Sequence, residues 1–260
     1  MSRAYRKIVV SRENGVETVT LNYPERRNAI GPTMTNELLW ALSDAHDADD
    51  VRVIVLTGAG KAFCAGGDFS EMTGGSDAQA LPSKGDYCDL LLALVRAQKP
   101  MVARVNGLAM GGGLGIVAAS HFAIAADDAQ LGTPEINVGL FPMMIMAVLA
   151  RHVPRRRLLQ MMLLGEKITA SEGKQLGLLG QVVPAANLDG AVKVIVDGLL
   201  SKSPLTTKLG LRAFAAQDDL DLASALPLLR DRLAECLSTD DAREGLMAFL
   251  EKRQPVWTGK

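Results

Sequence analysis

An α/β core followed by a helical C-terminal region is the fold class this chain predicts, on three observations. The largely β-branched run at 51–56 has the character of a strand buried on both faces, and the apolar Met101, Val102, Ala103 and Val105 suggest a second buried strand. Each runs into a glycine-rich turn, giving the β-then-α alternation of a largely parallel sheet. From Ser203 onward no strand pattern recurs, and the chain reads as helix.

Taken in order, Lys7 to Asn22 predicts a hairpin. Ile8, Val9 and Val10 form one strand, Val16 to Leu21 the next, and Asn14-Gly15 is the strongest short hairpin signal. A loop at 23–30 precedes a helix capped by Thr33 and running to Asp47, with Met34, Leu38, Leu39 and Leu42 on one face. After the strand at 51–56, residues 57–72 form a glycine-rich turn into a short helix. Residues 73–86 are rich in Gly, Ser and Asp and read as a mobile loop. A helix over 87–98 ends before Pro100. Beyond the strand at 101–105 and its glycine turn, a buried helix starts at Leu114. A strand at 122–126, an extended piece at 130–132 and a loop at 133–142 come next. Helices over 143–151, 155–163 and 170–176, a strand over 179–183 and a helix over 187–200 complete the core. Residues 1–200 are therefore taken as the core and 201–260 as the helical region.

Composition narrows the function. Among 260 residues, 48% are hydrophobic and 22% charged, enough apolar material for a full core. A net charge of −1 with no basic block beyond Arg155-Arg156-Arg157 argues against nucleic acid as a partner. Three scattered cysteines fit a reducing compartment rather than a disulfide framework, and with the three histidines they show no metal-ligand spacing. The first seven residues lack an apolar signal core, and the apolar run at 140–150 is too short to span a bilayer. A cytoplasmic protein without membrane insertion is expected.

Two stretches carry chemistry. Arg104-Val-Asn-Gly-Leu-Ala-Met-Gly-Gly-Gly-Leu-Gly115 places Gly111-Gly112-Gly113 between a buried strand and a buried helix. Thr57 to Met72 repeats the arrangement with Ala65-Gly66-Gly67-Asp68. Such a turn brings backbone close to backbone or ligand and aims unpaired amides at one point. A point of that kind holds an anion, or an oxyanion that exists only during reaction. Tight helix packing without a ligand is the alternative for either turn alone. Glu135 is a carboxyl among apolar neighbours in Thr133-Pro-Glu-Ile-Asn-Val-Gly-Leu-Phe-Pro142, which should raise its pKa and suit it to proton transfer.

Five segments in this order resemble the crotonase (enoyl-CoA hydratase/isomerase) superfamily: Pro24 with Arg27-Asn28-Ala29, Lys61 to Asp68 with Met72, Val105-Asn-Gly with Gly111-Gly-Gly113, Pro134-Glu135 with Gly139, and Phe249 to Arg253. The resemblance covers nearly the whole chain. It implies a spiral of ββα units with a helical C-terminal trimerisation region, and assembly as a homotrimer or a dimer of trimers. It implies acyl-CoA thioester substrates, no metal, flavin or nicotinamide cofactor, and an enolate whose oxygen is held by two backbone amides. Residue by residue, these amides belong to Gly67 and Gly112, and Glu135 is the acid/base. The CoA portion falls to Arg26, Arg27, Ala29, Ala65, Gly66 and Asp68, with Phe249 and Lys252 reaching CoA on a neighbouring subunit. Asp68 is read as fixing its turn by hydrogen bonds rather than doing chemistry.

One departure matters. Hydratases of the family use a second glutamate two residues past the glycine triplet, where this chain has Gly115. A single carboxylate favours isomerisation of a 3-enoyl-CoA to a 2-enoyl-CoA. Hydration would need a substitute acid such as Glu71, Asp77 or Asp86. A non-catalytic acyl-CoA-binding protein is a third possibility. Met143, Met144 and Met146 read either as an adaptable acyl pocket or as core. Trp40 and Trp257 are assigned to packing.

Overall fold

A computed structural model describes residues 3–72 and 81–260. Strands β1 (Ile8–Glu13) and β2 (Val16–Leu21) form the expected antiparallel hairpin. Asn14 and Gly15 both take positive φ, at 50° and 80°, the backbone states for which Asn-Gly is suited. Helix α1 (Pro32–Asp47) starts two residues earlier than predicted. Gly31 precedes it and Pro32 occupies the first turn, where its missing N–H has no intrahelical acceptor to lose. Thr33 is therefore inside the helix rather than its cap, and its hydroxyl donates to Glu71.

Three units follow, each giving one strand to a large sheet and the next to a small one. Strands β3 (Val53–Gly58) and β4 (Ala62–Cys64) lead to α2 (Phe69–Met72) and α3 (Tyr87–Val95). Strands β5 (Met101–Val105) and β6 (Leu108–Met110) lead to α4 (Gly112–Ala119). Strands β7 (Phe122–Ala126) and β8 (Gln130–Gly132) lead to a 3-10 turn (Pro134–Val138), α5 (Met143–Leu149) and α6 (Arg155–Leu164). Then β9 (Lys167–Thr169), α7 (Ala170–Gln175) and β10 (Gln181–Val183) close the sheets, in the orders β1-β2-β3-β5-β7-β10 and β4-β6-β8-β9. Apart from the hairpin and the β8/β9 pair, all neighbours run parallel. This is the ββα spiral that the resemblance implies.

The buried strand runs are explained by two apolar layers. Ile54 and Leu56 of β3 join the main core, which includes Met34, Leu38, Leu90 and Leu114. Val53 and Val55 point the other way, with Val102 and Ile124, against Leu188, Val192 and Val196 of α8 (Leu188–Leu200). A strand covered on both faces leaves no polar alternation to read.

Helices α9 (Pro204–Gln217), α10 (Leu222–Leu237) and α11 (Asp240–Leu250) follow, but the region is not helical to its end. Residues past Arg253 form neither helix nor strand. The buried Asp241 carboxylate holds them, accepting from Thr258 N at 2.7 Å, Gly259 N at 3.1 Å and Ser203 Oγ at 2.6 Å.

Candidate active site

Strands β4 and β6 pair in the small sheet, so two glycine turns far apart in sequence leave from adjacent strand ends. They touch: a Cβ added at Gly111 would lie 3.6 Å from Gly66 Cα. On one side Ile30 N donates to Gly66 O at 2.8 Å and Asp68 N donates to Ile30 O at 2.9 Å. That parallel bridge uses the groups flanking Gly67 and turns the Gly67 amide the other way. On the other side Gly112 begins α4, where a first-turn N–H has no intrahelical acceptor. Neither amide has a hydrogen-bond partner among the described residues. Gly67, Gly112 and Glu135 line one cavity of about 410 Å³.

Glu135 enters from the 3-10 turn after β8, placed there by Pro134 in the first turn. Its carboxylate lies over the glycine triplet, with Oε1 2.8 Å from where a Cβ of residue 111 would stand. Gly111 itself has φ 50° and ψ −123°, a conformation that L side chains avoid. Oε2 is buried and unpaired. Burial raises the Glu135 pKa above the usual carboxyl range, against a smaller opposing hydrogen bond from its own backbone. A carboxyl with one orphan oxygen and a raised pKa is suited to taking up and returning a proton.

The remaining glycines of the triplet region are set by space. A Cβ on Gly113 would meet Cys64 Cβ and Cys64 O, each at 2.6 Å. One on Gly115 would meet Ile145 Cγ2 and the Tyr87 hydroxyl, each at 2.5 Å. The place where the resemblance implies a second acid in hydratases is therefore filled. Sequence reasoning missed Tyr87 and Ile145, both of which line the cavity. Neither belongs to a motif; the one available signal was that a side chain absent at Gly115 must be replaced by atoms from elsewhere.

The three proposed substitute acids fare differently. Glu71 is engaged by Lys7 Nζ at 3.0 Å and by the Thr33 hydroxyl. Asp77 lies outside the described residues. Asp86 borders the cavity, though Oδ1 caps α3 by accepting from Cys88 N at 2.8 Å and Asp89 N at 3.1 Å. The loop expected at 73–86 is described only from residue 81, where buried Asn36 clamps it through Leu81 O, Pro82 O and Lys84 N.

Of the nucleotide-binding candidates, the loop with Arg26, Arg27 and Ala29 lies against the turn with Ala65 and Gly66. Arg26 and Arg27 are exposed, and no ion pair holds either among the described residues. Ala65 N donates to Arg27 O at 2.9 Å, which brings Ala29, Ala65 and Gly66 alongside that loop. Buried Asn28 fixes its shape, accepting from Tyr23 N and donating to Ala59 O and Ala62 O, each at 2.9 Å. Asp68 is buried and faces inward, where its Oδ1 accepts from Ser70 Oγ at 2.6 Å. Burial pushes the Asp68 pKa up, but the Ser70 and Glu71 hydrogen bonds and Lys7 outweigh it and hold it below the usual range. Its contacts are those of a turn anchor. Phe249 and Lys252 lie at the end of α11 and do not line this cavity.

The rest of the cavity wall is mainly apolar. Ile30, Pro32, Phe69, Leu140 and Phe141 line it, with Met143 and Met144 from the start of α5, whereas Met146 packs against the core. The methionine cluster thus divides between pocket and core. The tryptophans serve as anchors: Trp40 Nε1 donates to Pro82 O and Trp257 Nε1 to Ser201 O. Among the described residues there is no cluster of three or more metal-ligating side chains, and no helix is long and apolar enough to cross a membrane.

A ββα spiral with two free amides and a carboxyl on one apolar cavity defines a class of fold and site, and comparison with known proteins gives its family. Residues 11–260 match enoyl-CoA hydratase/isomerase, and the chain belongs to that family. The rat mitochondrial enoyl-CoA hydratase domain-containing protein 3 is 34% identical over 247 residues, covering 95% of this chain and 82% of the rat protein. The short-chain-enoyl-CoA hydratase of Clostridium acetobutylicum is 31% identical, covering 95% of each chain. The crystal structure of an enoyl-CoA hydratase from Mycobacterium smegmatis superposes with a TM-score of 0.89 at 35% identity, over 97% of this chain and 99% of that one. The protein is an enzyme of the hydratase/isomerase family with the crotonase fold.

Proposed function

We propose that this enzyme moves the double bond of a 3-enoyl-CoA into conjugation with the thioester. Glu135 takes a proton from C2, breaking that C–H bond. The C2–H pair forms C1=C2 and the carbonyl pair moves onto the thioester oxygen, giving a dienolate with C3=C4 still in place. The Gly67 and Gly112 amides hold that oxygen, a task suited to backbone donors because they neither titrate nor reorganise. Glu135 then returns the proton at C4: the oxygen pair re-forms the carbonyl, the C1=C2 pair becomes C2=C3 and the C3=C4 pair makes the new C4–H bond. The substrate and product are isomers, so the step calls for no redox group, metal or water, and CoA enters only as part of the substrate. The carrying observation is Glu135 with its unpaired Oε2, beside two unpartnered amides and a Gly115 site closed by Tyr87 and Ile145.

Purified enzyme should convert 3-enoyl-CoA to 2-enoyl-CoA faster than it hydrates 2-enoyl-CoA, followed by coupled assays on both substrates. Rapid hydration with no isomerisation would overturn this function. Hydration is the second reading, because Asp86 borders the cavity and the relatives named above are called hydratases.

Arg26 and Arg27 are assigned to the CoA phosphates, since free guanidiniums match phosphate geometry. Arg26→Ala and Arg27→Ala should each raise KM about fivefold, on the scale of ~1 kcal/mol for an exposed ionic contact, with kcat little changed. Steady-state kinetics against a CoA-truncated thioester, which should lose the difference, checks this.

Assembly as a trimer or a dimer of trimers is proposed on the helical region. Leu222 and Phe249 are 72% and 81% exposed, and Leu226, Leu233, Leu237 and Leu250 are also uncovered. Phe249 and Lys252 would there meet CoA bound to a neighbouring protomer. The three cysteines are free, which supports a reducing, cytoplasmic setting.

A further inference from the structure

We infer that Tyr87 is a positioning residue that sets the Gly112 end of the site and closes the second-acid position at Gly115, an inference that rests on the oxyanion-hole function proposed above. Three observations meet at this side chain. Its hydroxyl donates to Gly112 O at 2.5 Å, gripping the residue whose amide faces the cavity. The ring carbon bearing that hydroxyl lies 3.4 Å from where a Cβ of residue 112 would stand, so the phenol packs directly on the glycine. The same oxygen lies 2.5 Å from the corresponding point at Gly115.

Tyr87 is the first residue of α3, and the Asp86–Asp89 capping box fixes how that helix starts. Buried Leu90, Leu91 and Leu94 tie the helix to the core. The phenol is thus delivered from a rigid element, as a positioning group requires. Burial first, then the Cys64 thiol and the Glu135 carboxyl, keeps its pKa well above the ordinary phenol value. Tyr87 therefore stays a neutral donor over the working range and does not compete with Glu135 for the proton.

Two consequences follow for chemistry. The Gly112–Gly113 peptide is held by the Tyr87 hydroxyl, which fixes Gly112 from its C-terminal side and so limits how far its N–H, carried by the preceding peptide, must reorganise when charge develops on the thioester oxygen. A side chain at position 115 would run into the Tyr87 hydroxyl and Ile145 Cγ2, so no second acid is accommodated there as packed, which leaves Glu135 as the acid/base facing the acyl group from this wall. The chain's choice between isomerisation and hydration is then set by a residue on α3, far in sequence from both glycine motifs.

The test uses the intact enzyme with Tyr87→Phe, which keeps the ring, and with Gly115→Ala alone and in the Tyr87→Phe background. Tyr87→Phe should lower kcat about tenfold, on whichever acyl-CoA reaction the wild type runs, with KM within about twofold, because binding remains and orientation is lost. The 3-hydroxyacyl-CoA fraction formed from 2-enoyl-CoA should rise, since a water from the cavity can now reach Gly112 O. Gly115→Ala should lower the melting temperature less in the Tyr87→Phe background than in wild type, because one of its two clashing atoms has gone. An unchanged kcat and product ratio in folded Tyr87→Phe would overturn the inference, as would strict additivity of the two melting shifts. A wild type that only hydrates would overturn the isomerase function instead, and the kcat of Tyr87→Phe would still decide the role of Tyr87.

Discussion

Glu135→Gln is expected to lower kcat by about 10²–10⁴-fold, the usual contribution of a positioned acid/base, while KM and the fold stay near wild type. Glutamine keeps the shape of the side chain and removes only the ability to carry a proton. The environment favours that outcome for stability as well. Oε2 is buried without a partner, so ionised Glu135 is a strained state of the folded protein. A carboxyl whose folded pKa is raised contributes stability that is complete below its unfolded pKa and is lost as pH rises through the folded value. The variant should therefore gain melting temperature relative to wild type as pH rises above the ordinary carboxyl range of about 4.3. Activity runs the opposite way, because the ionised form is the base. The acid limb of wild-type kcat/KM should fall above that ordinary carboxyl value and be absent from the residual rate of the variant. A pH–rate profile set beside thermal melts separates the two. An active Glu135→Gln enzyme, within about threefold of wild type, would remove the proton shuttle from this residue.

The parts of the fold legible in sequence are those whose cause is local. Asn14-Gly15 needs positive φ and little else, and the β-branched run of β3 needs only apolar cover on each side. The small sheet was not legible because β4, β6, β8 and β9 are three residues each, too short to show a period. Only the extended piece at 130–132 was anticipated. The start of α1 was misplaced because Thr33 is a good cap residue by type, while Gly31-Pro32 makes the turn. At the site, motifs pointed to the Gly67 and Gly112 amides, which act as backbone, and to the proline-set carboxyl of Glu135. They did not find what fills the space between those atoms. Tyr87 carries no periodic or spacing signal, since its partners are 25 and 28 residues away and its role exists only when α3 packs on α4.

Gly115→Glu tests how that space is used, and it is expected to cost stability without gaining hydration. Read from sequence, Gly115 is an omission that restoring a glutamate should repair. In the structure it is an occupied site. The new Cβ would overlap Ile145 Cγ2 and the Tyr87 hydroxyl, and Ile145 Cβ at 3.2 Å leaves the branched side chain no easy retreat. Residues Gly113 to Ala119 of α4 are buried, so the helix cannot turn its face outward to relieve the overlap. Overpacking of this kind typically costs about 1–3 kcal/mol, and an unpaired buried carboxylate adds to it. For a chain of this size each kcal/mol is roughly 2–4 °C, so a fall of about 5–15 °C is expected in a melting scan. Hydration of 2-enoyl-CoA should stay at the wild-type level in the same preparation, because a carboxylate pushed off by Tyr87 cannot meet Glu135 across the acyl group. A variant that melts within about 2 °C of wild type and hydrates at least tenfold faster would mean that Tyr87 and Ile145 yield readily. Reaction choice would then lie with the residue at 115 alone. Tyr87 and Ile145 come from α3 and α5, both packed against α4, and both close on the Gly115 Cβ position, so both would have to move for that to happen. Stability and reaction choice at this position therefore share one cause, the packing of two neighbouring helices against a glycine.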